Sequence, residues 1–206
     1  ARRYHLCLFC KDLKGYKNLN RMLSYANIHN FYYKPIITFE LLEKYHEGII
    51  CTTACIGSYT SAKVSEGKEE IARKALKKFK SIFGDDLYVE IQPYKLSEKG
   101  LQERVNEGLM NLADELNIEC VLTSDSHYGR EEDYDTFVKM HQMKVKPEEQ
   151  EAKAQWVKNT YGERYMPHPD DLRRRFLRMH GDFDDAKARC KRYCRNLDEI
   201  IEKVDG

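Results

Sequence analysis

Residues 120–130 read CVLTSDSHYGR and set a carboxylate, Asp125, two positions before an imidazole, His127. Cys120, Val121, Leu122 and Thr123 have the β-branched and apolar character of a short buried strand. If the extended backbone runs on to Tyr128, Thr123, Asp125 and His127 point to one side, because side chains alternate along a strand. A carboxylate and an imidazole together suit zinc, manganese or a similar divalent ion, but two donors do not complete a site. The partners are expected at the ends of neighbouring strands. His5 opens the first strand candidate, Cys55 ends the second on the side of Cys51 and Thr53, and Glu90 and Gln92 share a side of the third. Alone, each has an ordinary reading as a packed histidine, a buried thiol or a loop cap.

The elements that must position these groups alternate. A strand in RRYHLCLFC precedes a helix in KDLKGYKNLNRMLSYANIHN, with Leu19, Met22, Leu23 and Ala26 as its apolar stripe. A loop broken by Pro35 leads to a short helix, N-capped by Thr38 and finished near Gly48. The strand IICTTACIG comes next, then a helix with Ile71, Ala75, Leu76, Phe79, Ile82 and Phe83 on one face and Gly84 as its stop. After the strand LYVEIQ, a helix with Leu101, Val105, Leu109, Leu112 and Leu116 on one face delivers the chain to Asp125 and His127. Such alternation predicts crossover units with parallel strands, whose C-terminal ends are the usual place for chemistry. Beyond Tyr128 only helices are expected, one of them starting at Pro169 with Asp170 and Asp171 in its first turn.

Bulk properties narrow the function. The 206 residues carry 35 Lys and Arg against 34 Asp and Glu, so no global positive field marks a nonspecific nucleic-acid binder. The basic runs LRRRFLRMHG and KARCKRYCR are balanced by DFDD and LDEIIEKVD and read as solvated helix faces. No apolar run approaches the ~20 residues of a membrane helix and no secretory signal opens the chain, so a soluble cytoplasmic protein is expected. Seven irregularly spaced cysteines read as reduced thiols. Cys7 and Cys10 lie three apart on a strand and face opposite ways, which argues against a shared zinc ion. Cys190 and Cys194 share a helical face, where packing beside Ala186, Leu197 and Ile201 competes with a small cysteine-based zinc site. His29, His46, His141, His168 and His180 have no partner spacing and are read as solvated.

Five segments carry a resemblance. HLCLFCKDLKGYKNLNRMLSYA, FYYKPIITFELLEKYHEGIICTTACIG, FGDDLYVEIQ, RVNEGLMNLADELNI and LTSDSHYGREED, in this order, resemble the second half of the PHP domain of bacterial and phage DNA polymerase III alpha subunits. The likeness runs from His5 to about His141. RYMPHPDDLRRRF and the final helix resemble, more loosely, the segment that the family carries immediately after that domain. The resemblance implies an α/β fold, a partial distorted (β/α) barrel of PHP type over residues 1–145, with a helical C-terminal extension over 146–206. It also implies metal-dependent phosphoesterase chemistry, including 3′-5′ exonuclease-type removal of a nucleotide from a DNA 3′ end. The family's ligating positions fall on His5, Cys55, Asp125 and His127, the four that strand parity proposes. The implied cofactor is a divalent metal, zinc or manganese, with magnesium a further candidate. Glu90 is a candidate for orienting a ligand.

The implied partners are a DNA 3′ end and other domains or subunits of the replicative polymerase, with no membrane. The family's opening His-x-His motif and the ligands after it lie upstream of the HLxLLA-like segment and are missing here. A separate segment would have to supply them, and the isolated chain is expected to hydrolyse weakly or not at all. TTACIGSYT stands where Ser-Gly-Cys-Leu-Gly-Gly is usual, and Ile36 where an arginine is common. The carboxylates needed for nucleotide addition are absent as well, so DNA synthesis is not expected. The alternative is a non-catalytic scaffold that binds the polymerase or a proofreading partner.

Overall fold

The computed structural model describes residues 3–96 and 100–204. Arg2 of the first expected strand and Asp205 and Gly206 of the last expected helix lie outside them. The chain divides into two compact units, one formed by Ala1–Glu90, Gly108–Val121 and Arg192–Gly206, the other by Ile91–Glu107 and Leu122–Lys191.

The first unit is built on a sheet in the order β1 (Cys7–Cys10), β4 (Ile49–Thr52), β5 (Leu87–Ile91), β6 (Glu119–Leu122). Every residue of β4 and β5 is buried, which explains their continuous apolar sequence. β4 and β5 are parallel, Cys51 opposite Leu87 and Thr52 opposite Tyr88. β1 corrects the all-parallel expectation: it runs antiparallel to β4, Cys7 opposite Thr52 and Cys10 opposite Ile49. Alternation of strand and helix cannot encode that reversal, because α1 (Leu13–His29), the hairpin β2 (Phe31–Tyr32) and β3 (Lys34–Pro35), and α2 (Phe39–Tyr45) all intervene. Among the described residues the sheet is open, with β1 and β6 at its edges, and no barrel is closed.

Helices cover this sheet for local reasons. Asp12 caps α1 by accepting the Gly15 N–H at 2.7 Å. Its buried stripe is Gly15, Asn18, Met22 and Ala26, whereas Leu23, expected inside, is 41% exposed. α3 (Tyr59–Ser65), which periodicity did not show, is capped by Ser58, whose Oγ accepts the Ser61 N–H. α4 (Glu69–Phe83) buries Ala72, Ala75, Leu76, Phe79, Ile82 and Phe83 and stops at Gly84, φ +56°, a conformation glycine adopts without a Cβ penalty. Ile71, expected on that face, is 40% exposed. Leu197 and Ile200 of α9 (Asp184–Glu202) close over Ile50, Tyr88 and Val121. Asn196 anchors the same helix by donating to the Cys120 carbonyl at 2.7 Å.

In the second unit, α5 (Leu101–Leu116) enters through Asn106, which is fully buried. Its Oδ1 accepts from Gln102 Nε2 at 3.0 Å, and its Nδ2 donates to the Gln92 carbonyl at 3.2 Å. The chain then carries α6 (Tyr134–Gln142), α7 (Gln150–Tyr161) and α8 (Pro169–His180). α8 starts at Pro169, as expected, with the His168 ring accepting the Asp170 N–H. Tyr128, Phe137, His141, Trp156 and Tyr161 form a continuous run of ring contacts. His141 is therefore packed instead of solvated, and burial lowers its pKa. His180 is a second correction. It meets Asn106 Nδ2 at 3.3 Å and the Phe176 ring, and burial, with Arg189 adding to it, lowers its pKa to about 4.

Candidate metal centre

His5 and Cys55 lie in the first unit, Asp125 and His127 in the second. His5 stands two residues before β1, where its N–H donates to the Gly57 carbonyl at 3.1 Å and it forms a parallel bridge with Ser58. That bridge sets the imidazole against the loop after β4. The strand IICTTACIG ends at Thr52, not at Gly57, because Ala54 takes φ +60° and turns the chain. Cys55 thus reaches His5 through a turn and not through strand alternation. The result is His5 Nδ1 at 3.4 Å from Cys55 Sγ.

That separation matches two ligands of one tetrahedral ion, which at ordinary Zn–S and Zn–N lengths stand about 3.6 Å apart. Gly57 keeps the space open. A Cβ there would lie 3.2 Å from His5 Nδ1 and 3.6 Å from Cys55 Sγ. Glu90, offered as an orienting group, is buried, its carboxylate accepting the Thr52 hydroxyl and its N–H donating to Thr53 Oγ1 at 2.9 Å. Cys51, in β4, is a different kind of thiol: full burial, with Cys7 and Glu90 adding to it, pushes its pKa far up and keeps it neutral.

Asp125 and His127 are positioned by a loop. β6 stops at Leu122, and Asp125 takes φ +50°, a left-handed conformation that Asp tolerates better than most residues. The extended run to Tyr128 is therefore broken, and parity is not what relates the two side chains. Arg164 Nη1 donates to Asp125 Oδ2 at 2.9 Å, with the arginine side chain 6% exposed and the aspartate 16%. The guanidinium rests over Tyr94, 4.3 Å from the ring centre, with Tyr161 at 5.2 Å. The backbone of Arg164 holds His127, whose N–H donates to its carbonyl at 2.7 Å.

His127 Nδ1 lies 2.7 Å from the Asp125 carbonyl oxygen. A carbonyl can only accept, so Nδ1 carries the proton and Nε2 is the nitrogen with the lone pair. Fixing one ring nitrogen by a backbone carbonyl is the usual way a ligating histidine presents the other. The Tyr161 ring, 4.6 Å from the imidazole, braces its plane. Burial pushes the neighbouring Tyr128 hydroxyl up to about 12, and it donates to the Gly162 carbonyl.

The structure brings the His5 and Cys55 side chains together at ligand spacing, whereas Asp125 and His127 are joined through the Asp125 backbone carbonyl while the Asp125 carboxylate meets Arg164. Among the described residues, no group of three or more His, Cys, Asp or Glu side chains stands in a metal-holding arrangement. None of the seven cysteines is joined in a disulfide; Cys190 is buried and Cys194 half-buried. The reading of the sequence missed Arg164 and Gly57. Nothing in GERYMPHP distinguishes Arg164 from a surface cation, and Gly57 in ACIG shows its role only through the close approach of His5.

Known proteins share parts of this chain. The PHP domain family profile matches residues 1–94. A DNA polymerase III subunit alpha from Aquifex aeolicus is 43% identical over 130 residues, 63% of this chain and 11% of that protein. That of Borreliella burgdorferi is 40% identical over the same length and shares. That of Chlamydia trachomatis is 30% identical over 183 residues, 80% of this chain and 14% of the relative. The chain thus spans about a tenth of the length of the first two relatives. The resemblance read from the sequence stands: residues 1–94 match the PHP domain, and the chain is similar to a segment of DNA polymerase III alpha subunits.

Proposed function

We propose that the chain is the later part of a PHP domain, with its helical extension, from a replicative DNA polymerase III alpha subunit. In this reading residues 1–145 are the PHP-like part, residues 146–206 the extension, and the open sheet an arc of a distorted (β/α) barrel. The intact domain would be a metal-dependent phosphoesterase acting on a DNA 3′ end. His5, Cys55, Asp125 and His127 would hold a divalent ion, zinc or manganese in the first instance. When bound, such an ion lowers the pKa of a coordinated water and stabilises a departing oxyanion.

The chain's own residues prepare that site. Arg164 fixes the Asp125 carboxylate and, through its carbonyl, the His127 backbone. The Asp125 carbonyl fixes the His127 tautomer. Gly57 leaves room beside His5 and Cys55. The observation that carries the reading is the 3.4 Å approach of His5 Nδ1 to Cys55 Sγ, two soft-to-borderline donors fifty residues apart at ligand spacing. Four donors hold at most one ion tightly, so the isolated chain should remove 3′ nucleotides from a short labelled DNA only weakly, or not at all, with manganese or zinc added. Brisk metal-dependent turnover by this chain would contradict that. Partners are the other polymerase domains or subunits and a segment supplying the upstream ligands, in the cytoplasm. No helix among the described residues is long and apolar enough to cross a membrane.

A second reading is a non-catalytic scaffold that binds the polymerase or a proofreading partner. The buried Arg164–Asp125 ion pair favours it, since that carboxylate already has a cation. Elemental analysis separates the two, because a scaffold carries no stoichiometric metal.

A further inference from the structure

The chain is charge-balanced as a whole, but residues 13–38 are not: they hold Lys14, Lys17, Arg21 and Lys34 and no acidic residue. They form α1 and the β2–β3 hairpin, all within the first unit. On α1 the positions 14, 17, 21 and 25 follow helical spacing and make one stripe of Lys14, Lys17, Arg21 and Tyr25, beside the buried stripe of Gly15, Asn18, Met22 and Ala26. Lys14 is paired with Glu47. Lys17, Arg21 and Lys34 make no ion pair among the described residues, and all three are exposed. The stripe leads to the hairpin, where Tyr32 is 64% and Tyr33 78% exposed, ring against ring at 4.8 Å. Tyr33 takes φ +58° at the turn, a position where asparagine or glycine would be the ordinary choice. Tyr25, 43% exposed, lies 4.5 Å from the His29 ring.

Exposed rings cost solubility, and cations without anions repel one another, so both features call for a partner that supplies aromatic faces and negative charge at once. Single-stranded nucleic acid does so, through unpaired bases and phosphates, and grooves that bind it combine cations with stacking rings in this way. A duplex hides its base faces, and an acidic peptide offers few rings. We infer that the α1 stripe and the hairpin tip form a binding surface for single-stranded nucleic acid, with Tyr32 and Tyr33 stacking bases and Lys17, Arg21 and Lys34 tracking the backbone. None of these residues is a donor of the candidate metal centre, and the inferred binding does not depend on a metal.

The test is fluorescence anisotropy of a short labelled oligothymidylate with the full chain in EDTA, so that failure of the metal reading leaves the result untouched. Saturable binding is expected, with duplex of the same length bound more weakly. Tyr32→Ala combined with Tyr33→Asn, asparagine being suited to the positive φ, should weaken binding by at least about fivefold per ring. Lys17→Ala and Lys34→Ala should each reduce the slope of log affinity against log salt by about 0.7. The lysine variants are exposed point changes that keep the test valid if the tyrosine pair disturbs folding, which circular dichroism reports. No binding, duplex bound as well as single strand, or affinity unmoved by the folded variants would overturn the inference.

Discussion

The Arg164 guanidinium holds the Asp125 carboxylate at 2.9 Å, in a setting where neither side chain sees much water. Removing one partner of such a pair strands the other charge, so Arg164→Ala should cost about 3 kcal/mol in denaturant unfolding. Asp125→Asn should cost less, since an amide oxygen still accepts from the arginine and asparagine tolerates φ +50°. His180 gives a pH signature. Its folded pKa near 4 lies below the ordinary histidine value of 6.5, so between those limits the unfolded chain binds more protons. Stability should then be full above about pH 6.5 and fall as the pH drops towards 4, and His180→Asn should flatten that fall in urea midpoints taken across the range. At this scale the sequence was readable in part. The candidates His5, Cys55, Asp125 and His127 were proposed from residue type, strand parity and the resemblance. The reason for their placement could not be read, because it rests on positive φ at Ala54 and Asp125 and on Arg164, a cation 39 positions from its carboxylate.

The longer helices were legible because an apolar stripe leaves a period in the chain and residues such as Gly84 and Pro169 mark their ends, whereas the short α3 left no such period and Thr38 precedes α2 without a side-chain cap bond. Strand ends and directions were not. β4 and β5 are buried on both faces, so they show no alternation to say which side a residue takes, and the antiparallel turn of β1 leaves no local mark. Gly15 shows how tightly one of these elements is set. A Cβ there would overlap the Gly48 carbonyl, where α1 crosses the turn into β4 and Lys11 N–H donates to the same oxygen at 2.8 Å. Backbone cannot yield as a side chain does, so Gly15→Ala should destabilise by about 3 kcal/mol or more, visible as an early thermal transition. Gly67, with φ +69° but nothing within 4 Å, offers the comparison: alanine there is strained only by its backbone angle and should cost about 1 kcal/mol.

For the whole molecule, the chain combines an open four-stranded sheet with a run of later helices, and spans about a tenth of the polymerase subunits it resembles. The proposed function therefore turns on whether the chain holds a divalent ion through His5, Cys55, Asp125 and His127. Metal content after exhaustive dialysis decides this directly, measured by elemental analysis on the chain and on His5→Ala, Cys55→Ser, Asp125→Asn and His127→Ala. The expected result is one zinc or manganese per chain, lost in each of the four variants while circular dichroism stays unchanged. An unmodified chain that retains no stoichiometric metal, or one whose ion survives replacement of Asp125 and His127, would contradict it.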